Sequence, residues 1–172
     1  GLLPEAYLHP ETYSLQIPTL EALMKKGATS DAALSVYPTL TYPSHTSMVT
    51  GVNPGKHGVV GNKSFDPYEN DLDGWRWYAE DIKRDPIWRV ASRAGYSVAT
   101  IHWPVTVGAE VTWRVPEYWR AKNEQDKKLV RAVSTPGLLE RVAEEKPDFW
   151  SRFVPPNVHD DALTDIAVHL IE

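Results

Sequence analysis

Apolar residues recur at helical spacing in five segments of the chain, and each segment carries residues typical of helix ends. In "IPTLEALMKKG", Leu20, Leu23 and Met24 share one face, Pro18 stands in the first turn, and Gly27 follows the last turn. Patterns of this kind predict helices near residues 18–26, 43–50, 86–94, 136–145 and 160–171.

Two of these helices carry a specific capping prediction. Asp85 is predicted to cap the third helix, with Pro86 as its first residue. Ser134 or Thr135 is predicted to cap the fourth helix, with Pro136 in its first turn.

Short apolar runs between the helices predict strands. The run "AALSV" predicts a strand near residues 32–36, which ends before Pro38, and "YSVATIHWP" predicts a buried strand near 97–103. Residues 105–133 are rich in Trp, Tyr and charge, and they are interpreted as a loop-rich cover or insertion rather than a sheet strand. Helices that alternate with apolar strands indicate a layered α/β fold with a mainly parallel sheet.

Composition narrows the class of protein without deciding its function. The 172 residues carry a formal charge of −5, 42% are hydrophobic, and there is no cysteine. The sequence therefore lacks disulfides and thiolate metal ligands, and it shows no basic stripe for nucleic acid. No apolar run approaches the roughly 18 residues that a membrane span needs.

Both ends of the sequence indicate a piece of a longer protein. The chain begins at Gly1 without a signal-like segment or an opening strand, and Glu172 lies within a helical pattern. We therefore expect residues 1–172 to be one portion of a single domain, truncated at both ends.

The densest chemistry lies in "YPTLTYPSHTSMVTGVNPGKHGVVGN", residues 37–62. Pro43 is typical of a first helical turn, which places Thr41 or Tyr42 at a helix entry, where the helix dipole attracts anions. Thr41 can act as a cap or as a nucleophile, and a threonine hydroxyl attacks only when a base or metal removes its proton.

Other polar residues of this stretch also allow two interpretations. His45 and His57 can be metal ligands or hydrogen-bonded structural residues. Asn62 follows a glycine-rich turn, where asparagine commonly serves the needs of the backbone.

The same stretch resembles the nucleophile region of the type I phosphodiesterase/nucleotide pyrophosphatase family, within the alkaline phosphatase superfamily. The family pattern is matched by "TYPSH" at residues 41–45, "TGVNPGKHG" at 50–58, and Asn62. The opening "GLLPEAYL" and the later "DPIWRVASRAGYSVATIHWPVTVG" resemble further family segments, so the resemblance covers most of the chain. It implies an alkaline-phosphatase-like α/β/α domain, of which this chain is the N-terminal part.

The resemblance also implies roles for particular residues. Thr41 would be the nucleophile that takes up the phosphoryl group and would bind a metal through its oxygen, while Asn62 would donate to a phosphoryl oxygen. Two divalent metal ions, expected to be zinc, would assist hydrolysis of phosphodiester or pyrophosphate bonds in nucleotide-type small molecules. The family also favours an extracytoplasmic location.

The other metal ligands of the family match positions outside this chain. Asp161, Asp165 and His169 stand one turn apart in a C-terminal helical pattern, but charged residues on an exposed helix face need no function. We therefore expect no well-held metal at Thr41 and no phosphodiesterase activity in the isolated 172 residues.

Two alternatives to this function remain. The fold can serve as a non-catalytic module that binds a phosphate-bearing ligand or a partner. The enzyme can also be a phosphomonoesterase, a phosphonate hydrolase or a phosphomutase of the same superfamily, because no residue of the motif defines the substrate pocket.

Overall fold

The computed structural model describes residues 3–68, 70 and 74–172, and the chain divides into two compact units, residues 1–35 and 36–172. The first unit contains helix α1 (Pro4–Leu8), a 3-10 turn (Pro10–Tyr13) and helix α2 (Pro18–Lys26). The amide of Gly27 donates to the carbonyl of Leu23 at 2.8 Å and closes α2, so this predicted helix is confirmed.

The strand predicted near residues 32–36 is wrong. These residues form irregular structure, and the side chain of Leu34 is fully exposed. An apolar run becomes a strand only when a neighbouring strand shares its hydrogen bonds, and no strand ladder or bridge among the described residues includes this run.

The second unit combines helices with a short two-stranded sheet. Its helices are α3 (Thr41–Thr50), α4 (Pro54–His57), α5 (Ile87–Arg93), α6 (Gln125–Val133), α7 (Leu138–Glu145), α8 (Phe149–Arg152) and α9 (Asp160–Ile171), with a 3-10 turn at Ala79–Asp81. The helices predicted near 43–50, 86–94, 136–145 and 160–171 are thus confirmed, with boundaries shifted by up to two residues. Among the described residues, no helix has the length and apolar character that crossing a membrane requires.

Strands β1 (Ala99–Ile101) and β2 (Trp113–Val115) pair in parallel. The sheet confirms the predicted α/β class, and β1 lies inside the predicted strand 97–103. The interpretation of residues 105–133 as a loop-rich cover is wrong, because this stretch contains β2 and α6. Three residues form β2, and their partner lies fourteen positions earlier in the chain, so no local pattern marks the strand.

The third predicted helix begins one residue later than expected. Pro86 precedes α5 in extended conformation, and Ile87 is the first helical residue. Asp85 makes no cap, because its carboxylate binds Arg89 at 3.2 Å and Arg93 at 2.7 Å. Asp85 therefore binds arginine side chains of the helix rather than the backbone amides of its first turn.

The fourth predicted helix has a different cap from the one expected. Gly137, at φ 75°, precedes Leu138, which opens α7. The hydroxyl of Thr135 accepts a hydrogen bond from the amide of Arg114 at 2.8 Å. Thr135 therefore ties β2 to the following chain, and Ser134 makes no side-chain cap either.

The core of the second unit joins α3 to both strands and the C-terminal helices. Its fully buried large side chains are Tyr42, Val59, Val105, Val115, Val130, Leu138, Leu139, Val142, Phe149, Phe153 and Ile166. Tyr42 is the neighbour of Thr41, so the first turn of α3 is anchored in the core.

Candidate active site

Helix α3 begins at Thr41, and the hydroxyl of Thr41 does not cap it. Leu40 occupies the capping position without a side-chain hydrogen bond, and Thr41 is the first helical residue. The Thr41 side chain is exposed, and its hydroxyl makes no hydrogen bond to a described residue. Gly51, which directly follows the predicted helical residues 43–50, ends the helix at φ 68°.

Asn62 performs the capping instead, from twenty residues further along the chain. Its Oδ1 accepts a hydrogen bond from the amide of Tyr42 at 2.9 Å. Only the oxygen of a carboxamide accepts, so this bond fixes the orientation of the half-buried side chain. The Nδ2 amino group remains as a donor beside the first turn that carries Thr41.

The first turn of α3 offers few backbone donors of its own. The amide of Tyr42 is taken by Asn62, and Pro43 has no N–H. Of the first three helical residues, Thr41 alone keeps an amide without a hydrogen bond to a described residue. An anion at this helix end would therefore depend on the Thr41 amide and the Asn62 side chain more than on a cradle of amides.

A short antiparallel contact holds Asn62 in place. Its carbonyl accepts the amide of Arg76 at 2.9 Å, and Lys63 and Trp75 form an antiparallel bridge. The Lys63 ammonium lies 5.6 Å from the centre of the Trp75 ring. This arrangement places a positive charge and an aromatic surface next to Asn62.

His57 is a structural residue of the region. It is fully buried, accepts the Val59 amide at Nδ1 (3.2 Å) and donates from Nε2 to the Ser47 hydroxyl (2.9 Å). Burial lowers the pKa of His57, so the imidazole is neutral near pH 7. Both ring nitrogens are occupied, and neither is available to a metal.

His45 lies one turn after Thr41 on the same helix. Its Nδ1 donates to the carbonyl of Thr41 at 2.8 Å, and its ring packs edge-on against Trp103 at 5.0 Å. The bond holds the imidazole behind the first turn of α3.

An aromatic cluster lies against the start of α3. The Tyr42 ring is 5.4 Å from that of Trp75, Trp75 stacks on Trp77 at 5.6 Å, and Trp77 meets Trp119 edge-on at 4.7 Å. Trp75 and Trp119 are half-buried, while Tyr42 and Trp77 are buried. Part of the cluster therefore faces solvent.

Asp126 fixes the loop that brings Trp119 to the cluster. Its Oδ1 accepts the amides of Arg120 and Ala121, both at 2.8 Å, and the residue is completely buried. The carboxylate thus ties the loop before α6 to the first turn of that helix.

Glu117 is a largely buried acid beside the Tyr42 side chain. Burial raises its pKa to about 7, against a smaller opposing effect from the Tyr42 hydroxyl. Burial also raises the pKa of Tyr42, and the nearby Glu117 charge adds to that rise. The pair therefore favours a protonated acid and a neutral phenol below neutral pH.

Asp165 and His169 of α9 bind partners on neighbouring helices. Asp165 accepts from Arg152 at 2.7 Å, and His169 donates to Glu145 at 2.9 Å, while Asp161 is exposed. Within the described residues, no group of three or more His, Asp or Glu side chains could hold a metal ion. The chain's own described residues therefore do not form a metal centre around Thr41.

Sequence reasoning did not identify Lys63, Trp75, Trp119 or Glu117 as neighbours of the site. The alternation in "WRWY", residues 75–78, is the one local signal that could have indicated a pleated segment with two tryptophans on one face. Trp119 and Glu117 come to the cluster from more than forty residues beyond Trp75, which the sequence does not reveal.

Comparisons with known proteins give one consistent result. A model of the family described as "Type I phosphodiesterase / nucleotide pyrophosphatase" matches residues 4–155. The human ectonucleotide pyrophosphatase/phosphodiesterase family member 1 is 30% identical over 156 residues, which are 86% of this chain and 16% of the human protein. Ectonucleotide pyrophosphatase/phosphodiesterase 2 of Saccharomyces cerevisiae is 34% identical over 143 residues, covering 69% of this chain and 27% of the yeast protein.

A solved structure supports the fold. The murine ectonucleotide pyrophosphatase/phosphodiesterase 5 matches 92% of this chain and 38% of its own, with a TM-score of 0.50 and 24% identity. The predicted alkaline-phosphatase-like α/β fold is thereby confirmed. The chain spans about a sixth to a quarter of the length of the curated relatives described above.

Proposed function

Because the chain belongs to the type I phosphodiesterase / nucleotide pyrophosphatase family, we propose that it is the N-terminal portion of a single catalytic domain. That domain hydrolyses phosphodiester or pyrophosphate bonds in nucleotide-type small molecules through a phosphothreonine at Thr41. Since the match covers 16% of the human relative, the activity is assigned to a longer polypeptide and not to these 172 residues alone.

One observation carries the proposal. The hydroxyl of Thr41 is exposed at the first residue of α3. It does not serve as a helix cap, because Asn62 accepts the hydrogen bond from the Tyr42 amide. The same hydrogen bond fixes the Asn62 Nδ2 group as a donor beside the first turn of α3. A nucleophile and a preorganised donor at a helix start are the parts that phosphoryl transfer needs from the protein.

In the proposed reaction, the Thr41 oxygen forms a bond to phosphorus, and the bond from phosphorus to the leaving oxygen breaks with its electron pair. Asn62 donates from Nδ2 to a phosphoryl oxygen, where negative charge is concentrated. Water then hydrolyses the phosphothreonine and restores the hydroxyl. The half-buried Trp119 offers apolar ring surface against which a nucleobase can pack.

Metal dependence is part of the proposal for the longer polypeptide. A lone threonine hydroxyl does not hold a divalent ion in competition with water, and the described residues add no ligand set around it. The further ligands are therefore assigned to sequence outside this chain, and zinc is the ion that the family resemblance favours. When bound, such ions supply the positive charge that makes a hydroxyl nucleophilic near neutral pH.

The location and the substrate class follow from the relatives' names. The human and yeast relatives are named as ectonucleotide enzymes, which favours an extracytoplasmic location and a nucleotide substrate for the protein that carries this segment. A non-catalytic phosphate-binding role is the second candidate for the isolated 172 residues, favoured by the lack of a ligand set among the described residues.

The test compares Thr41→Ala with Thr39→Ala in the longer polypeptide. Thr39 is an exposed threonine two residues upstream whose hydroxyl donates to the carbonyl of Val36, so it is a matched control. We expect Thr41→Ala to lose most hydrolysis of a nitrophenyl phosphodiester and to lose the phosphothreonine seen by mass spectrometry after acid quenching. We expect Thr39→Ala to retain both. Undiminished turnover in Thr41→Ala would end the nucleophile assignment.

A further inference from the structure

Trp119 is a half-buried tryptophan that is held by its neighbours on both sides in the chain. Before it, Tyr118 is buried, and its ring packs edge-on against Trp77 with 5.2 Å between ring centres. After it, the amide of Arg120 donates to Oδ1 of Asp126 at 2.8 Å. That amide belongs to the same planar peptide group as the Trp119 carbonyl, so the bond fixes the backbone of Trp119 on its carboxyl side.

The loop after this tryptophan is closed by side chains of its own region. Oδ1 of Asp126 also accepts the amide of Ala121 at 2.8 Å, and the Asp126 amide donates to the carbonyl of Asn123 at 2.9 Å. The Asn123 side chain in turn donates to the carbonyl of Ala121 at 3.0 Å. Lys122 lies at φ 55°, a conformation that a residue with a side chain adopts when the surrounding contacts impose it. Together these bonds hold the loop in one conformation.

Asp126 is a costly residue for closing a loop. Residues 120–125 are exposed or half-buried, whereas Asp126 is completely buried. Its Oδ2 atom is buried as well and makes no hydrogen bond within the described part of the chain. A buried carboxylate oxygen without a donor lowers stability, and the exposed Asn123 already closes part of the loop. The use of Asp126 therefore points to a requirement for the exact position of the loop.

The Trp119 ring is held without being covered. It meets Trp75 and Trp77 edge-on, with 5.3 and 4.7 Å between ring centres, and the residue remains partly exposed. An aromatic surface that is already fixed loses little conformational freedom when a flat ligand group packs against it. Trp119 is therefore preorganised to receive such a group.

We propose that Asp126 is a positioning residue for nucleotide binding, which holds the Trp119 ring in the orientation that the base of the substrate requires. The inference rests on the proposed function in one respect, that the substrate carries a nucleobase. Asp126 is itself buried and acts through the peptide group between Trp119 and Arg120, without touching the substrate. Loss of its carboxylate frees that peptide group, so the effect falls on the base and not on the reacting phosphoryl group.

Two substrates of the longer polypeptide separate these two parts of the substrate. A nitrophenyl ester of a nucleoside 5′-monophosphate carries a base, and methyl nitrophenyl phosphate has the same leaving group without one. We expect Asp126→Ala to lower the ratio of kcat/KM for the nucleoside ester to that for the methyl ester by about tenfold, a loss within the range for one base packed on an aromatic ring. The loss is expected in KM rather than kcat, because the base packs equally in the bound substrate and the transition state. An equal fall for both esters would assign Asp126 to fold stability alone and overturn the proposal.

Two further variants serve as controls. Asp126→Asn keeps an oxygen that accepts both amides and loses the charge, so its ratio is expected to stay within about threefold of wild type. Asp165→Ala removes another carboxylate, one that binds Arg152 in the C-terminal helices, and is expected to leave the ratio unchanged. A ratio in Asp126→Asn as low as that in Asp126→Ala would contradict the role of the two amide bonds.

A double-mutant cycle tests whether Asp126 acts through Trp119. Trp119→Ala removes the ring, so adding Asp126→Ala to it is expected to cause no further fall in the ratio. A further fall of about tenfold would show that Asp126 acts elsewhere and would overturn the proposal.

Ala121→Pro breaks the same contact from the other side. It removes one of the two amides that Asp126 accepts and leaves the carboxylate in the core. We expect the ratio to fall in the same direction as in Asp126→Ala, but by less. If Asp126→Ala does not fold, an unchanged ratio in Ala121→Pro would overturn the proposal.

Equilibrium binding separates this inference from the nucleophile assignment. Calorimetry on the longer polypeptide carrying Thr41→Ala needs no turnover, and adenosine 5′-monophosphate is compared with ribose 5-phosphate, which lacks the base. We expect Asp126→Ala to weaken binding of the nucleotide by about tenfold and to leave that of the sugar phosphate nearly unchanged. Equal weakening of both would contradict the proposal, whether or not Thr41 is the nucleophile.

Discussion

The start of α3 and the free edge of β1 face the same physical problem and meet it differently. Both present backbone amides that have no partner within their own helix or strand pair. At α3 the chain supplies the partner itself, since Asn62 returns from twenty residues away to accept the Tyr42 amide. At β1 the amides of Ala99 and Ile101 have no partner among the described residues.

The start of α3 has many partners within this segment, whereas the edge of β1 has few. The start of α3 is tied to the core through Tyr42, to the loop through Asn62 and to α4 through the buried His57. The β1 edge lies between two uncovered apolar grooves. The start of α3 is therefore held by partners within this segment, whereas the outer edge of β1 is left uncovered by the described residues.

The largest effect at the start of α3 is expected when the Asn62 side chain is removed. In the longer polypeptide we expect Asn62→Ala to lower kcat/KM by about 10²–10³, the usual cost of losing one preorganised donor. The same change leaves the Tyr42 amide without its acceptor, and loss of such a cap costs about 0.5–2 kcal/mol.

Asn62→Asp separates the two roles of Asn62. Aspartate keeps an acceptor for the Tyr42 amide, so the free energy of unfolding is expected to stay near the wild-type value. It offers no donor and adds negative charge beside the phosphoryl group, so activity is expected to fall at least as far as in Asn62→Ala. Steady-state kinetics and urea denaturation measure the two effects, and an active Asn62→Asp enzyme would show that Nδ2 is not needed.

A second test of the region around the start of α3 measures how the stability contributed by Glu117 depends on pH. The folded chain raises the pKa of Glu117 from its ordinary 4.5 to about 7, so the folded state holds a proton that the unfolded state has lost between these values. Stability from Glu117 is then fully present below about pH 4.5 and falls as pH rises to about 7, by on the order of 3 kcal/mol.

The measurement is the difference in urea stability between wild type and Glu117→Gln across pH 4–8. Burial also lowers the pKa values of His57 and His102, which oppose the trend by destabilising the fold as pH falls below about 6.5. Those contributions are common to both proteins and cancel in the difference. A difference that does not change with pH would show that Glu117 is ionised throughout.

A smaller effect is expected when the link between α3 and α4 is cut. His57→Phe fills the buried space but leaves the Ser47 hydroxyl and the Val59 amide without their partner. An unsatisfied buried group costs about 1–3 kcal/mol, so we expect a loss of this size in the free energy of unfolding. Ser47→Ala is the matched control and is expected to lose less, because it removes one bond only. Equal stability of His57→Phe and wild type would show that the ring acts by packing alone.

The smallest effect is expected where the sequence predicted a strand that did not form. Leu34 is fully exposed, so Leu34→Ser removes no packed contact. We expect an unchanged denaturation midpoint in the 172-residue chain. A clear loss of stability would show that the segment 32–36 is packed in solution.

Proline and glycine signals at the ends of α2 and α3 were read correctly from the sequence, whereas the side-chain caps assigned to Asp85 and to Ser134 or Thr135 were not. Pro18 and Gly27 bracket α2, and Gly51, in a left-handed conformation, closes α3. Each of these residues acts through its own backbone geometry, so its effect does not depend on distant chain.

Features that depend on distant partners were not predictable. Residues 113–115 are a strand because Val98 and His102 bond to them. Residues 32–36 are not a strand, because they belong to no ladder or bridge among the described residues. The motif identified Thr41 and Asn62 together, but the hydrogen bond that joins Asn62 to α3 spans twenty residues and appears only in the structure. The assignment of catalytic roles to these two residues remains a prediction.

The hydrogen bond between Asn62 and Tyr42 also constrains how the gene can change. The chain between these residues contains the rest of α3, the turn at Gly51 and all of α4. The distance from Tyr42 to Asn62 is therefore set mainly by helices rather than by a flexible loop. Inserting or deleting one residue there would shift Asn62 and remove the cap and the donor together. Length variation within this family should therefore be rare between positions 42 and 62.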